Sequence, residues 1–239
     1  MAYKISERVE FIFSTSVGLN QSGRFKSVIF CTENDIFIKN IENTLILKFG
    51  LKPGENPFDK SVSFNSSDYD SREFEEKDGR VYFITKKSKL IKRQSCATSE
   101  SPKKIELIYK KLYNKFESLF DIEWNKDVLE LLDLNLSHVE IKSNSEGIKL
   151  LQRNIYDGTL IEIEKVYGLL SSQSKKNLPD MAIGIRTADF RSLFEFQDSI
   201  NIKVGIDYSL VEGMSKWIAF SGIMSNCKYD ELGELKIIK

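Results

Sequence analysis

Residue types that build metal centres, disulfide frameworks and stiff linkers are scarce in this sequence. The 239 residues include one histidine, three cysteines and four prolines. Cys31, Cys96 and Cys227 lie far apart and are odd in number, so they match neither a disulfide framework nor a zinc pattern. This use of cysteine is typical of a reducing compartment, and the few prolines exclude long proline-rich linkers.

Net charge and long apolar runs are absent as well. The chain has 35 lysines and arginines against 35 aspartates and glutamates, which argues against a uniformly basic nucleic-acid binder but allows a local basic face. No apolar run approaches the roughly 20 residues of a membrane-spanning helix, and the N-terminus lacks the pattern of a signal peptide. We therefore predict a cytoplasmic, intracellular protein without a membrane partner, and the nucleus stays open as a location.

The sequence does contain the side chains of a folded core, since 41% of its residues are hydrophobic and 11% are aromatic. Residues 8–15 combine aromatic and β-branched side chains and predict a strand. Residues 27–31 and 36–39 flank a polar turn and predict a hairpin, and Asp78-Gly79 is typical of the tight turn of a second hairpin. We therefore predict an antiparallel β meander or small barrel over residues 1–93.

A basic segment at 86–104 marks the predicted boundary between this domain and an α/β domain at 94–239. Two interpretations of the segment stay open: a solvated linker, or an arm that contacts nucleic-acid phosphates. Its basic residues are Lys86, Lys87, Lys89, Lys92, Arg93, Lys103 and Lys104.

The second half predicts helices and strands in alternation, with no repeat of fixed period. Ser101 and Pro102 favour the start of a helix whose lysine-rich face suits solvent or nucleic acid. The fold class is therefore α+β, with an N-terminal antiparallel meander or small barrel followed by a mixed α/β half. The other predicted elements are a strand at 139–142, a helix from 145 that carries Gln152 and Tyr156, paired strands at 181–186 and 192–197, and a helix at 209–220.

One stretch combines reactive side chains at spacings that metal-dependent phosphodiester cleavage can use. Residues two apart on a strand share a face, so Glu140 and Lys142 are expected to point into one site, and Asp133 can join them if the chain bends. Two acids would hold Mg²⁺ with several waters retained, while a lysine positions water and stabilises developing charge. His138, the one histidine, is interpreted either as a general base or as an ordinary surface or core residue.

This arrangement resembles the signature of the PD-(D/E)xK nuclease superfamily, with a spacing similar to that of the mismatch-repair nicking endonuclease and its restriction-enzyme relatives. Gln152 and Tyr156 resemble the QxxxY element of recombination nucleases in that superfamily. The resemblance implies that Asp133 and Glu140 are metal ligands. It also implies that Glu140 and Lys142 form the catalytic pair, and that Gln152 and Tyr156 contact nucleic acid near the scissile phosphate.

A second match to the same signature lies downstream. Pro179-Asp180 is predicted to open a strand, and Glu195-Phe196-Gln197 is predicted to close the next one. This segment resembles the signature with glutamine in place of lysine, so Asp180, Glu195 and Gln197 form an alternative site. The first constellation is preferred because it retains the lysine.

Two functional hypotheses follow, and the sequence leaves open whether the protein is an enzyme. The first is a Mg²⁺-dependent nuclease that acts on DNA or RNA. The alternative is a non-catalytic binding or assembly protein, without a cofactor, that docks protein or nucleic acid through its β domain. The exposed edges of a β meander would also suit a subunit of a larger complex or a homo-oligomer.

Overall fold

The chain forms two compact units, each with its own core. A computed structural model describes residues 3–24, 26–58, 60–69, 73–77, 80–84, 91–93, 101–154, 160–163, 169–170, 178–213, 220–229 and 235–237. The first unit comprises Met1–Leu112 and Lys216–Phe220, and the second comprises Tyr113–Ser215 and Ser221–Lys239. The predicted domain boundary in the basic segment 86–104 stays a prediction.

In the described part of the chain, strands are the main element of the first unit. Its elements are β1 Tyr3–Lys4, α1 Glu7–Gln21, β2 Ser27–Cys31, β3 Asp35–Asn40, β4 Leu45–Gly50, β5 Val62–Asn65, the 3-10 helix η1 Ser66–Asp68, β6 Glu73–Lys77, β7 Arg80–Ile84 and β8 Ile91–Arg93, followed by α2 Pro102–Asn114.

The strand predicted at 8–15 is wrong, because these residues lie in α1. The hydroxyl of Ser6 caps the helix by accepting a hydrogen bond from Val9 N at 3.3 Å. Aromatic and β-branched residues favour strands only where a pleated surface buries them, whereas here the apolar side chains recur at helical spacing. The buried residues of α1 are Val9, Ile12, Phe13, Ser16 and Leu19.

Both predicted hairpins of the first unit are confirmed. β2 pairs with β3 in a register that sets Cys31 opposite Ile36. β6 pairs with β7, and Lys77 lies opposite Arg80. Asp78 and Gly79, the predicted turn residues, lie outside the described residues.

The first unit contains one module twice, and the two copies exchange their first strands. Each copy consists of a strand, a helical segment and three strands: β1-α1-β2-β3-β4 and β5-η1-β6-β7-β8. β1 of the first copy pairs with β6 of the second, and β5 of the second pairs with β2 of the first. Neither copy can therefore complete its sheet alone.

Aromatic packing fixes α1 in the core of the first unit. The ring of Phe13 on α1 contacts Phe64 at 5.3 Å and Tyr69 at 5.2 Å between centroids. Phe64 and Tyr69 also contact Phe83 on β7, at 5.4 and 5.2 Å. Edge-to-face rings at these distances add specific contacts to the burial of large apolar area. This cluster uses several of the chain's sixteen phenylalanines.

The second unit repeats the same module twice with the same exchange. β9 pairs with β15 of the second copy, and β14 pairs with β10 of the first. The structural repeat has no counterpart in sequence periodicity. Its described elements are β9 Phe120–Asn125, the 3-10 helix η2 Lys126–Leu131, β10 His138–Asn144, β11 Gly147–Arg153, β12 Leu160–Ile163, β13 Leu169–Leu170, β14 Met181–Arg186, α3 Thr187–Leu193, β15 Ser199–Val204, β16 Tyr208–Gly213, β17 Phe220–Ser225, β18 Cys227–Tyr229 and β19 Leu235–Ile237.

Three predicted elements of the second unit are wrong. The helix from residue 145 is replaced by β11, because Asn144 Oδ1 accepts hydrogen bonds from the backbone of Glu146 and Gly147 and closes a hairpin, and Gly147 has a φ of 145°. At the start of the helix predicted at 209–220, residues 208–213 form β16 between β15 and β17 instead, and residues 214–219 lie outside the described residues. Residues 192–197 end α3 in successive turns instead of forming a strand.

The predicted α+β class is confirmed. Helical segments lie between strands that pair in antiparallel fashion, as β3 does with β4 and β10 with β11. The predicted N-terminal meander is interrupted by α1. Among the described residues, no helix has both the length and the apolar character needed to cross a membrane.

Candidate interaction surface

Glu140, the predicted catalytic metal ligand, is buried in the second unit. Its side chain is 1% exposed, and its Oε2 accepts a hydrogen bond from Arg153 Nε at 3.2 Å. Arg153 lies on the neighbouring strand β11. A buried carboxylate requires such a partner because it has lost its hydration. The carboxylate of Glu140 is therefore engaged within the fold.

Asp133 and Gln152 form a structural contact with each other. The backbone N of Asp133 donates to Gln152 Oε1 at 2.6 Å, and Gln152 Nε2 donates to the backbone O of Asp133 at 2.9 Å. The carboxylate of Asp133 accepts hydrogen bonds from the backbone and side chain of Asn135. Gln152 thus holds a turn against β11, and Asp133 Oδ1 stabilises that turn.

The sheet places the predicted site residues on two faces. Glu140 lies opposite Leu151, and Gln152 lies opposite Val139. Since directly opposed residues share a face and neighbours alternate, Glu140 and Gln152 lie on opposite faces. Lys142 shares the face of Glu140 but is exposed. Tyr156 lies outside the described residues.

The alternative constellation is also spread over different environments. Asp180 is exposed just before β14, and Glu195 is exposed in the turns after α3. Gln197 is 7% exposed, and its amide fills the space that a side chain on Gly213 would occupy.

The donor set does not fit the Mg²⁺ that the nuclease interpretation requires. Within the described ranges, no three side chains of histidine, cysteine, aspartate or glutamate come close enough together to hold a metal ion. Glu140 is paired with Arg153, and the carboxylate of Asp133 stabilises its own turn.

His138 is unsuited to general-base catalysis at neutral pH. It lies between Arg153 and Arg186 in register on the neighbouring strands and is 7% exposed. Burial lowers its pKa to about 4, and the positive charge of Arg186 contributes. Burial likewise raises the pKa of the Cys31 thiol, and it raises that of Cys227 to about 11, with Asp189 contributing. Both thiols are therefore protonated and unreactive at neutral pH.

The basic residues predicted to contact nucleic acid occupy separate elements. Lys103 and Lys104 are exposed on the first turn of α2. Lys92 and Arg93 belong to β8. Lys86, Lys87 and Lys89 lie outside the described residues.

Sequence reasoning missed an apolar surface around Gly205 in the second unit, which we call the hairpin patch. It consists of Phe116, Leu119, Ile206 and Tyr208. Leu119 is 38% exposed and Ile206 is 55% exposed. The rings of Phe116 and Tyr208 contact each other at a tilt of 48°, with centroids 5.5 Å apart. Exposed apolar clusters of this kind commonly mark sites of protein interaction.

Buried hydrogen bonds hold the hairpin patch in place. Asn226 is fully buried; its Nδ2 donates to Gly205 O at 2.9 Å, and its Oδ1 accepts from Ser209 Oγ at 2.8 Å. Leu119 N donates to Val204 O at 2.8 Å. The glycine between two apolar strands was the available signal for this turn, but the helix predicted at 209–220 obscured it.

Two outer strands have opposite charge. Among the described strands, β8 ends the order β1-β6-β7-β8 in the first unit, and β12 ends the order β12-β11-β10-β14-β18-β19 in the second. The sequence of β8 is Ile-Lys-Arg, and that of β12 is Leu-Ile-Glu-Ile. Outer strands present backbone groups that can pair with another chain.

Comparison with known sequences gives no relative: no protein-family model and no curated protein matches the chain. Comparison with solved structures gives matches over nearly its whole length. Proliferating cellular nuclear antigen from Entamoeba histolytica matches with a TM-score of 0.53 and 12% identity, over 94% of this chain and 98% of that protein. The PCNA2–PCNA3 complex from Sulfolobus tokodaii matches with a TM-score of 0.53 and 10% identity, over 95% and 99%.

The third structure is a bacterial protein with a longer chain. The DNA polymerase III subunit beta from Borrelia burgdorferi, solved with a natural product, matches with a TM-score of 0.57 and 11% identity. The match covers 96% of this chain and 63% of that subunit. All three structures are sliding clamps, so the chain has a sliding-clamp fold. The resemblance to PD-(D/E)xK nucleases is therefore wrong, and the nuclease hypothesis is overturned with it.

Proposed function

We propose that this chain is a non-catalytic clamp subunit that assembles with protein partners around DNA. The observation that carries the proposal is the clamp fold, which extends over 94–96% of the chain in the three comparisons. The alternative hypothesis from the sequence, a binding and assembly protein, agrees with it. The buried, paired state of Glu140 supports a structural rather than a catalytic role.

The charges of the outer strands support assembly of several copies. We propose that β8 of one copy pairs with β12 of the next, which would extend a sheet across the contact. Lys92 and Arg93 would then lie near Glu162, and opposite charges across paired strands favour one register. Because the two edges differ, the contact is head-to-tail and closes into a ring when the rotation allows it.

The hairpin patch supports a second kind of contact. Its apolar side chains surround a turn that Asn226 holds through two buried hydrogen bonds. A preorganised apolar patch loses little conformational entropy when a partner binds. We propose that a partner protein docks there.

Assembly is tested by mass measurement on the purified chain. Light scattering across a concentration series is expected to show oligomers that Lys92→Glu/Arg93→Glu or Glu162→Lys each weaken. Mixing the two variants should restore assembly, because each would offer the other a charge-complementary edge. A protein that stays monomeric at all concentrations up to about 100 μM would contradict the proposal, because the affinity of its contacts would then be far weaker than that of usual subunit contacts.

DNA encirclement is tested with nicked circular and linear forms of one plasmid. A closed clamp, loaded by its own opening or by a loading factor, is expected to stay on circular DNA in high salt and to leave the linear form through its ends. Equal retention on both forms, lost as salt rises, would indicate ordinary phosphate binding. Mg²⁺-dependent cleavage of either form would contradict the non-catalytic assignment.

A further inference from the structure

One exposed leucine on α2 lies inside a ring of lysines in the first unit. Leu107 is 68% exposed, the largest exposure among the large apolar side chains that the structure describes. Residues three and four positions away are its neighbours on the helix surface. All four are exposed lysines, and with Leu107 they form what we call the Leu107 face: Lys103, Lys104, Lys110 and Lys111.

The opposite side of α2 fixes the direction of this face. Ile105 is fully buried and Tyr109 is 3% exposed. The ring of Tyr109 contacts Phe37 with centroids 5.6 Å apart, and Lys48 Nζ lies 5.7 Å from its centre. Leu107 is two residues from each buried side chain, so the helical period directs it outward.

The Leu107 face keeps a positive charge. Glu106 accepts a hydrogen bond from Lys110 Nζ at 2.6 Å, which also raises the pKa of Lys110. One glutamate against four lysines leaves the face basic. The arrangement thus combines a central apolar side chain with a cationic rim.

We propose that the Leu107 face docks an acidic protein segment that carries an aliphatic side chain. Such a segment would use both features, burying Leu107 and pairing its carboxylates with the surrounding lysines. A phosphate backbone would use the lysines and leave the leucine without a contact. A lipid surface is a poorer match, since a single leucine supplies little insertion area. The docking site goes beyond the clamp assembly proposed above and does not depend on it.

The test is a binding measurement on the full chain by fluorescence anisotropy. The probe is a labelled synthetic helical peptide of glutamates with leucines at i and i+4, beside a peptide in which serines replace the leucines. Leu107→Ser is expected to weaken binding about tenfold, the effect of losing one buried apolar contact. Lys104→Glu/Lys111→Glu is expected to weaken it at least as much, in a salt-sensitive way. Leu134→Ser is the matched control, because Leu134 is 55% exposed in the other unit.

Several outcomes would overturn the proposal. Equal binding by the Leu107→Ser and Leu134→Ser proteins would show that Leu107 makes no aliphatic contact with the peptide. Equal binding of the two peptides would show the same. A 20-base-pair DNA duplex that binds through the lysines alone, without peptide binding, would make the face a phosphate contact. Binding to phosphatidylserine vesicles that requires Leu107, without peptide binding, would make it a membrane contact. No binding of any probe would also reject it, while leaving the clamp assembly untouched.

Discussion

His138 gives the sharpest test of the electrostatics, because it is the one histidine of the chain. It is buried beside Ser137, whose Oγ lies 2.9 Å from its Nδ1, and between Arg153 and Arg186 in register. Its pKa is lowered from 6.5 to about 4, first by burial and then by Arg186. The folded protein therefore binds fewer protons than the unfolded chain between these two pH values.

The sign and size of the effect follow from linkage. The stabilisation from neutral His138 is fully present above pH 6.5, declines as pH falls towards 4, and changes no further below that. For pKa values of 6.5 and about 4, the loss at pH 5 is about 2 kcal/mol. Solvent screening of the Arg186 charge reduces the expected loss to about 1–2 kcal/mol.

The assay compares urea unfolding of the native protein and of His138→Asn at pH 7.5 and pH 5. Other groups titrate equally in both proteins, so the native protein should lose about 1–2 kcal/mol more than the variant. The single histidine also gives one imidazole resonance in an NMR titration. A midpoint near or above 6.5, or equal losses in both proteins, would refute the reasoning.

Three further predictions concern residues that hold the second unit together. Gly205→Ala should destabilise the protein by about 2 kcal/mol or more, as overpacking does, because a Cβ there would lie 2.7 Å from the backbone O of Tyr208. The control Gly18→Ala, whose Cβ would meet nothing within 4 Å, should be neutral or stabilising in thermal melts. Equal destabilisation by the two substitutions would contradict this prediction. Asn226→Ala should lower the stability measured by urea unfolding by about 2 kcal/mol, because buried hydrogen bonds are lost. Asn226→Asp should recover only part of that stability. A change under about 0.5 kcal/mol for Asn226→Ala would show that the bonds are dispensable. Glu140→Leu should destabilise the protein by about 1–3 kcal/mol, because Arg153 loses its buried partner. The double variant Glu140→Leu/Arg153→Leu should regain much of that stability in the same assay. A double variant whose loss of stability equals the sum of the losses in the two single variants would argue against coupling.

Much of the fold was predictable wherever a few neighbouring residues decide the structure. The Asp-Gly sequence after Lys77 and the polar residues before Ile36 predicted their hairpins correctly. Ser101 predicted the start of α2, where its Oγ accepts a hydrogen bond from Lys104 N at 3.3 Å. These signals are local, since the donor, acceptor and backbone angles all lie within four residues.

The site was not predictable, because its residues are defined by partners far away in sequence. Glu140 and Lys142 share a strand face as expected, but burial of Glu140 depends on Arg153 across the sheet. Gln152 was predicted on a helix and lies on β11, where it holds the Asp133 turn. A sequence motif of two acids and a lysine indicates which side chains are present, but it does not indicate whether those side chains are buried or exposed.

By itself, the sequence determined the local turns, the start of α2, the α+β class and the positions of its scarce residue types. Tertiary structure decided that α1 is a helix, that β11 and β16 are strands, and that paired modules exchange their first strands. The physical reason is that propensities differ by about 1 kcal/mol or less per residue, so burial against distant partners outweighs them. The same burial turned Glu140, one acid of an apparent nuclease motif, into an internal contact of a clamp fold.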